Sequence, residues 1–427
     1  MLTDDQDARP RRRRRKRRGL LAAILTLLVV GAIGTYTSLA LLEPVAATAG
    51  SAEQLTVSVP DPVAFAVPYS GASALSMMGA EQFPATAGAD GILVSSGGDD
   101  PRPIASITKL ITALVVLDAY PIGQGEAGPT LTFSEADSDL YDQYYVLGAT
   151  IQPMKEGASM TLHDALEVML VTSATNYADA VATWAFGSHS DFVGAAETWL
   201  AANGLVNTTI VEPTGIDPGN LSTPTELVAI GKLALANPVL AEIVRSTVLD
   251  VPGLEHVSNT NTLLSTHGVT GIKTGTLEEA GSCLLFSAVI DVGLPEPITV
   301  VGAVLGGPNH DGVDHEVVAL LDSVTAGFHS VTAIEAGTEV GSYTSAWGDE
   351  AVVVTADSAS LLTWSDLPVT ATVDLKPVTS AVNGATVGTA TFVAGSETVS
   401  VPLVLQGAIT EPDGWWKFTH PAKVFGR

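Results

Sequence analysis

A serine and a lysine stand three residues apart, as Ser106 and Lys109, at the start of an apolar segment. Residues 106–118 contain no glycine or proline and Pro121 follows, which predicts one helix of about three to four turns. Its apolar residues lie on nearly every face, so we expect a buried helix. Residues three apart share a helix face, which brings the Lys109 amine within reach of the Ser106 hydroxyl. Burial lowers the pKa of a lysine, and the neutral amine can then take the serine proton.

Two later segments carry residue types that complement this pair. Ser173 stands between two helical patterns, where its hydroxyl either projects into a cleft or caps the second helix. Lys273-Thr274-Gly275 lies in a predicted strand. Taken alone, the first pattern is more typical of a capping serine with a lysine that reaches solvent. The chemistry therefore depends on whether the three segments meet.

The strand around Lys273 has a geometry suited to substrate binding. Alternation places Lys273 and Gly275 on one face and Thr274 on the other, and the glycine leaves room for an approaching backbone. Lys273 could then hold a substrate carboxylate, with the N–H groups of Thr276 and Ser106 forming an oxyanion hole. A solvated strand lysine is the alternative interpretation.

The order and spacing of these motifs resemble the three-part signature of serine beta-lactamases and penicillin-binding proteins. Over about residues 65 to 330 the chain resembles, more specifically, the D-alanyl-D-alanine carboxypeptidases, the low-molecular-mass penicillin-binding proteins of the S11 serine peptidase type. The stretches that carry this resemblance are 103–109, 169–180, 214–227 and 271–288. The stretch 214–227 by itself is typical of a turn followed by a capped helix, which predicts a structural role rather than a catalytic one.

The resemblance implies a role for each motif residue. Ser106 would be acylated, with Lys109 as its base and Ser173 as a proton relay. Lys273 and Thr274 would bind the terminal carboxylate of the substrate. Beta-lactam antibiotics would act as covalent inhibitors, and no cofactor is implied.

The chain departs from the family pattern at one position. The family usually has asparagine two residues after the serine of the second motif, whereas this chain has Thr175 there and Asn176 next. Contact with the substrate amide would therefore fall to Thr175 or to Asn176.

The apolar pattern predicts an α/β (α+β) catalytic domain over 61–332. Runs at 73–78 and 91–95 predict a hairpin, the runs flanking 277–281 predict an antiparallel pair, and 298–305 predicts a third strand. Strands at both ends of a helical middle indicate one antiparallel sheet with helices on its faces. The resemblance implies the serine beta-lactamase and penicillin-binding-protein transpeptidase fold.

Residues 335–427 have short alternating runs and turns, which predict a small all-β domain. This domain resembles the C-terminal β domain of the same family, where it would serve as a spacer or docking platform. Near its end, Trp415 and Trp416 are predicted to pack inside the β domain, with an exposed binding patch as the alternative.

The first 42 residues have the pattern of a membrane anchor. Residues 1–18 carry nine basic side chains, and 19–42 carry no charge. As a helix, this apolar run would reach about 36 Å, enough to cross a hydrocarbon core of about 30 Å. The positive-inside rule places everything after it outside the cell. A cleaved signal peptide is the alternative, and 43–60 is predicted as a linker.

Charge and cysteine content exclude several classes of function. Nine of the 19 basic and three of the 46 acidic residues lie within 1–18, which leaves 10 basic against 43 acidic residues. Such an acidic exterior does not bind nucleic acid. Cys283 is the only cysteine, so no intramolecular disulfide exists, and its apolar surroundings predict a buried thiol. His310 and His315 match no zinc spacing, so no metal site is predicted.

The sequence therefore predicts a membrane-anchored serine D,D-carboxypeptidase that removes the terminal D-alanine from peptidoglycan stem peptides outside the cell. A D,D-endopeptidase or transpeptidase would use the same residues with a different acyl acceptor. A weakly active or non-catalytic wall-binding homologue is the alternative from another class, favoured by Thr175 and the appended β domain.

Overall fold

The computed structural model describes residues 8–83, 91–254 and 256–426. The chain divides into two compact units. The catalytic unit comprises Val59–Ser330 and Leu362–Leu367, and the second unit comprises the remaining described residues.

The helices and strands are numbered in chain order. The helices are α1 (Ala8–Leu42), α2 (Thr108–Ala119), α3 (Glu135–Val146), α4 (Leu162–Val171), α5 (Thr175–Phe186), α6 (His189–Ala202), α7 (Pro224–Ala236), α8 (Pro238–Ile243), α9 (His310–Ala326), α10 (Gly414–Thr419) and α11 (Pro421–Phe425). The strands are β1 (Gly50–Ala52), β2 (Ala72–Met78), β3 (Val94–Ser96), β4 (Arg102–Pro103), β5 (Thr130–Thr132), β6 (Ser159–Thr161), β7 (Leu221–Ser222), β8 (Val269–Leu277), β9 (Gly281–Ile290), β10 (Ile298–Gly307), β11 (Phe328–Ile334), β12 (Glu339–Thr344), β13 (Glu350–Thr355), β14 (Ala359–Trp364), β15 (Thr370–Leu375), β16 (Thr386–Ala394) and β17 (Glu397–Gly407).

The catalytic unit is built on a five-stranded antiparallel sheet in the order β3-β2-β10-β9-β8. This confirms the predicted pairing of 73–78 with the strand after it and the predicted antiparallel pair around 277–281. The third predicted strand is β10, which pairs with both β9 and β2. Because β8 lies at one end of the strand order, one of its edges is available to a ligand.

Strand β9 shows why the centre of this sheet is apolar throughout. Cys283 and Leu285 pack into the core shared with α2, α4, α5 and α7, whereas Leu284 and Phe286 pack into the core shared with α9. A strand that is covered on both faces has apolar residues at successive positions rather than at alternate ones. The predicted burial of Cys283 is confirmed, and burial raises the pKa of its thiol to about 11.

Helix α2 is the buried helix expected from the sequence, with residues 108–117 all buried. It does not begin as a regular α-helix at Ser106. Residues Ala105–Ile107 form a 3-10 turn, and the α-helix starts at Thr108. A 3-10 turn is common at a helix start and changes the direction in which the first side chains point.

The second unit contains a six-stranded antiparallel sheet in the order β1-β12-β13-β17-β16-β15, which confirms the strand-rich C-terminal region. The predicted linker 43–60 is not entirely free, since β1 lies within it and pairs with β12. Gly50 permits this pairing because a Cβ there would lie 2.7 Å from the Leu375 Cδ1 atom.

The first part of the catalytic unit ends at Ser330, close to the boundary predicted near 332, and a later segment returns to this unit. Leu362–Leu367 returns to the catalytic unit, where Trp364 is 1% exposed. The Trp364 ring lies 4.6 Å from that of Phe328, centroid to centroid. Burial of the large Trp364 side chain therefore keeps residues 362–367 in the catalytic unit. The composition of the sequence does not indicate this contact.

Among the described residues, α1 provides one helix that is long and apolar enough to cross a membrane. The short helices α10 and α11 pack against it, and the Tyr36 hydroxyl donates a hydrogen bond of 2.6 Å to the Phe418 carbonyl. Trp415 is 73% exposed, so the prediction that it packs inside the β domain is wrong. Trp416 is partly buried and packs edge to face on Trp347.

Candidate active site

The structure places the Lys109 amine directly beside the Ser106 hydroxyl. The Nζ atom lies 2.9 Å from Ser106 Oγ and donates a hydrogen bond of 2.6 Å to the Thr214 carbonyl. Lys109 is fully buried, whereas Ser106 is partly accessible. An accessible hydroxyl hydrogen-bonded to a buried amine is the arrangement that an activated nucleophile requires.

The buried position of Lys109 sets its protonation state. Burial lowers the pKa of its ammonium group to about 7, and the Glu212 carboxylate partly opposes this effect. A substantial fraction of the amine is therefore neutral at neutral pH and can accept a proton from Ser106.

Strand β8 brings the third motif against the nucleophile segment. A Cβ on Gly275 would lie 2.8 Å from the Ile104 carbonyl oxygen and 3.3 Å from the Ser106 nitrogen. The glycine is therefore needed for close approach of two segments of the protein itself. This contact also places the β8 backbone beside the Ser106 N–H group, where an oxyanion hole would form.

Lys273 is 1% exposed and donates a hydrogen bond of 3.2 Å to the Thr274 carbonyl. Burial lowers the pKa of Lys273 well below its usual range, and the nearby charge of Lys109 lowers it further. The two lysines therefore lie in one electrostatic environment, which cannot easily hold two positive charges. A bound substrate carboxylate would favour the charged form of Lys273.

The two threonines of the third motif have different surroundings. The Thr274 hydroxyl is 2.6 Å from that of Thr260, whose N–H donates to the Val171 carbonyl at the end of α4. Thr276 is exposed, and its hydroxyl lies 2.6 Å from His310 Nε2. Thr260 thereby connects the third motif to the helix that precedes the second motif.

Ser173 lies in the turn between α4 and α5, both of which pack on α2. Its φ angle is +62°, in the left-handed region that is unusual for residues other than glycine. The N-cap of α5 is Ala174, without a side-chain cap, so the Ser173 hydroxyl does not cap the helix. Ala105, directly before Ser106, has a φ angle of +46°. Such conformations are costly and cluster at functional sites.

Thr175 and Asn176 face different environments. Thr175 is the first residue of α5, is 3% exposed, and donates its N–H to the Thr150 carbonyl. Asn176 is fully buried, and its amide pairs with the Gln152 backbone through bonds of 2.8 Å and 3.1 Å. Asn176 would have to break both bonds to reach a substrate, so its amide is occupied by a structural contact.

The sequence predicts a turn followed by a capped helix over 214–227, and the end of this stretch forms the start of the capped helix α7. The structure adds a second role, because the Thr214 carbonyl accepts the hydrogen bond from Lys109. No pattern around Thr214 indicates this contact, since the two residues are 105 positions apart.

Among the described residues, one group of three potential metal ligands lies on α4. Donor atoms of His163, Asp164 and Glu167 lie within 4.8 Å of one another. The group occupies the first turns of the helix, where the positive end of the helix dipole disfavours a cation. We therefore assign no metal to it.

Comparison with known proteins identifies the family of this chain. The sequence profile of D-alanyl-D-alanine carboxypeptidases, peptidase family S11, matches residues 85–307. The chain belongs to the S11 D-alanyl-D-alanine carboxypeptidase family.

Relatives with named activities are similar over part of their length. A D-alanyl-D-alanine endopeptidase of Pseudomonas aeruginosa is 30% identical over 208 residues, which are 47% of this chain and 64% of that protein. The D-alanyl-D-alanine carboxypeptidase DacA of Escherichia coli K12 is 26% identical over 262 residues, 60% of this chain and 63% of that protein. The chain thus spans less than two thirds of the length of these relatives.

Solved structures share the fold. Penicillin-binding protein 5 from Haemophilus influenzae has a TM-score of 0.54 at 21% identity, with 83% of this chain and all of that chain covered. The Streptomyces K15 DD-transpeptidase has a TM-score of 0.50 at 24% identity, with 62% and 98% covered.

Proposed function

We propose that the protein is a serine D,D-carboxypeptidase that removes the terminal D-alanine from peptidoglycan stem peptides. The observation that carries this proposal is the 2.9 Å contact between a partly accessible Ser106 hydroxyl and the fully buried Lys109 amine. Family membership directs the activity to D-alanyl-D-alanine peptides. No cofactor is needed, since the nucleophile and its base are both side chains of the chain.

The reaction begins with transfer of the Ser106 proton to Lys109 as Oγ attacks the carbonyl carbon of the penultimate D-alanine. The N–H groups of Ser106 and Thr276 stabilise the oxyanion. Collapse of the tetrahedral intermediate breaks the peptide bond, and the proton held by Lys109 passes through the Ser173 hydroxyl to the departing amine. Water then hydrolyses the acyl-enzyme and restores the Ser106 hydroxyl.

Recognition of the substrate falls to β8 and to the start of α5. Lys273, with the Thr274 hydroxyl, binds the terminal carboxylate, and Gly275 lets the β8 backbone lie close to the reacting centre. Thr175 contacts the substrate amide, because the Asn176 amide is already paired with Gln152.

A D,D-endopeptidase is the second candidate, since the Pseudomonas aeruginosa relative carries that name. Both reactions share the acyl-enzyme on Ser106, and a transpeptidase would share it as well. Release of D-alanine from a synthetic pentapeptide, measured beside cleavage of a cross-linked dimer, separates them. Faster cleavage of the dimer would favour the endopeptidase. Acylation by penicillin without either reaction would favour a non-catalytic wall-binding protein.

Replacement of Thr175 by asparagine should raise kcat/KM for D-alanine release. Asparagine offers the substrate amide both a donor and an acceptor, whereas the shorter threonine offers a hydroxyl. The gain is about one hydrogen bond, roughly 0.5 to 1.5 kcal/mol, or about two- to tenfold. Thr175→Ala should lower kcat/KM. If neither variant differs from wild type, residue 175 does not contact the substrate.

Helix α1 is proposed as an uncleaved membrane anchor, with the chain from residue 43 onward outside the cell. The apolar run of residues 19–42 and the arginines at the start of the helix support this orientation. Helices α10 and α11 support it too, because they contact α1 at Tyr36. Tyr36 lies about 9 Å before the end of α1, and aromatic residues are typical of a membrane interface. The exposed Trp415 would then lie among the lipid headgroups.

Trp415 should be quenched by lipids that are brominated near the headgroup. The full chain is reconstituted in zwitterionic vesicles, and Trp415→Phe should remove most of that quenching. Trp364→Phe, which removes a tryptophan buried in the catalytic unit, should leave it unchanged. Failure to float with the vesicles would refute the anchor. Flotation without loss of quenching in Trp415→Phe would refute only the position of Trp415.

A further inference from the structure

The loop of residues 212–220 is the wall of the site that faces the nucleophile segment. Three of its backbone carbonyls accept hydrogen bonds from residues on either side of Ser106. The pairs are Asn220 with the Ile104 N–H at 3.1 Å, Thr214 with Lys109 Nζ at 2.6 Å, and Pro213 with the Thr112 hydroxyl at 2.7 Å. In addition, a Cβ on Gly215 would lie 2.1 Å from the Ala105 carbonyl oxygen, so the two backbones are in close contact.

One carboxylate, that of Glu212, holds this loop in shape. It accepts hydrogen bonds from donors at both ends of the loop. These donors are the N–H groups of Thr214 at 2.7 Å, Gly215 at 2.5 Å and Asp217 at 3.4 Å, and the Asn220 side-chain amide at 2.5 Å. The carbonyls that contact Ile104 and Lys109 therefore belong to residues that Glu212 fixes directly.

The Thr214 carbonyl determines how the Lys109 amine is oriented. A neutral amine has two N–H donors and one lone pair. When one N–H donates to Thr214, the lone pair can be directed at the Ser106 hydroxyl, which lies 2.9 Å away. A displaced carbonyl would let the amine rotate and lose this alignment.

We propose that Glu212 is a positioning residue for the reaction, because it fixes the loop carbonyl that orients the Lys109 amine toward Ser106. This inference rests on the proposed acylation of Ser106 and assigns a role to a residue outside the three motifs.

Glu212 also acts on Lys109 through its charge. It raises the pKa of the Lys109 amine against the larger lowering by burial. The titratable groups whose charges act on this pair include Lys273 on β8, beside Lys109, and Tyr144 on α3, beside Glu212. The Tyr144 hydroxyl donates a 2.7 Å hydrogen bond to Asp179 on α5, which also lies 2.6 Å from His189 Nε2, and Asp217 belongs to the loop itself. Loss of the Glu212 charge would therefore lower the pKa of Lys109 further.

The test measures acylation by a fluorescent penicillin across pH in the full-length chain. Glu212→Gln removes the charge and replaces one of the two acceptor oxygens by an NH2 group, which cannot accept from the loop N–H groups. The acylation rate constant should fall by about ten- to a hundredfold, the scale expected for a misaligned catalytic group. Acylation requires neutral Lys109, so its rate increases with pH. The midpoint of this increase should lie at lower pH in Glu212→Gln than in the wild type.

Two further variants separate positioning from loss of stability. Glu212→Asp keeps the charge but shortens the reach, so its acylation rate should fall while its pH midpoint stays near that of wild type. Glu226→Gln is the matched control. Glu226 is 8% exposed and accepts from the Asn207 N–H and the Thr208 hydroxyl, so it anchors another loop in the same unit. Its loss should change neither the rate nor the midpoint, even if thermal unfolding occurs at a lower temperature.

The outcomes distinguish this inference from the function on which it rests. A wild-type chain that penicillin never acylates overturns the proposed function and the role of Glu212 together. A wild-type chain that is acylated, with the same rate and midpoint in Glu212→Gln, overturns the role of Glu212 alone. If Glu226→Gln changes the acylation rate and the pH midpoint as much as Glu212→Gln does, the role of Glu212 is overturned as well. Loosening of any loop in the unit would then produce the same changes.

Discussion

Benzylpenicillin should form a one-to-one covalent adduct with the protein, and Ser106→Ala should abolish it. The beta-lactam carbonyl would occupy the place of the substrate carbonyl, next to the Ser106 hydroxyl and its Lys109 partner. The chain contains no Glu-x-x-Leu-Asn sequence of the kind that activates a deacylating water in class A beta-lactamases, so the adduct should be long-lived. Intact-mass spectra over time give both the stoichiometry and the lifetime.

The control for this experiment is Ser173→Ala, which keeps the nucleophile and removes only the proposed relay. It should acylate more slowly, with the adduct still on Ser106. An adduct that persists in Ser106→Ala would show that another residue is the nucleophile. Failure of the wild type to form any adduct would remove the basis for the proposed function.

Lys109→Ala should slow acylation by about a hundred- to ten-thousandfold, the contribution that a general base typically makes. In the wild type the rate should increase as the pH rises through about 7, because Lys109 acts as a base only in its neutral form. Stopped-flow measurement of acylation across pH tests both statements. The increase should disappear in Lys109→Ala.

Two comparison variants show which property of Lys109 matters. Lys109→Arg keeps a positive charge but cannot lose its proton near neutral pH, so it should be as slow as Lys109→Ala. Lys273→Ala should instead weaken recognition of carboxylate-bearing substrates, seen as a larger effect on KM than on kcat. Equal acylation rates in wild type and Lys109→Ala would show that another group takes the proton.

Local pattern determined the elements that carry the motifs. The buried helix after Ser106, the turn around Ser173 and the antiparallel strands around Lys273 follow from the periodicity of apolar residues and from breaks at glycine and proline. These signals arise between residues close in sequence, because one helix or strand repeats its side-chain directions every few positions. The continuous apolar run of β9 also indicates its position, since a strand that is covered on both faces needs apolar residues at successive positions.

Tertiary packing decided the features that depend on distant contacts. Asn176 pairs with Gln152 because the segment before α4 packs on the start of α5, and no local pattern indicates this contact. The return of 362–367 to the catalytic unit, the pairing of β1 with β12, and the exposure of Trp415 were missed for the same reason.

The clearest case is the environment of Lys109. The sequence determined that a lysine lies one helical turn from a serine within an apolar helix, which is enough to predict burial and a lowered pKa. It could not determine that a loop more than 100 residues later supplies the Thr214 carbonyl and the Glu212 charge. Hydrogen-bond distances and charge effects depend on separation in space, and that separation is set only when α2 and the 212–220 loop pack together.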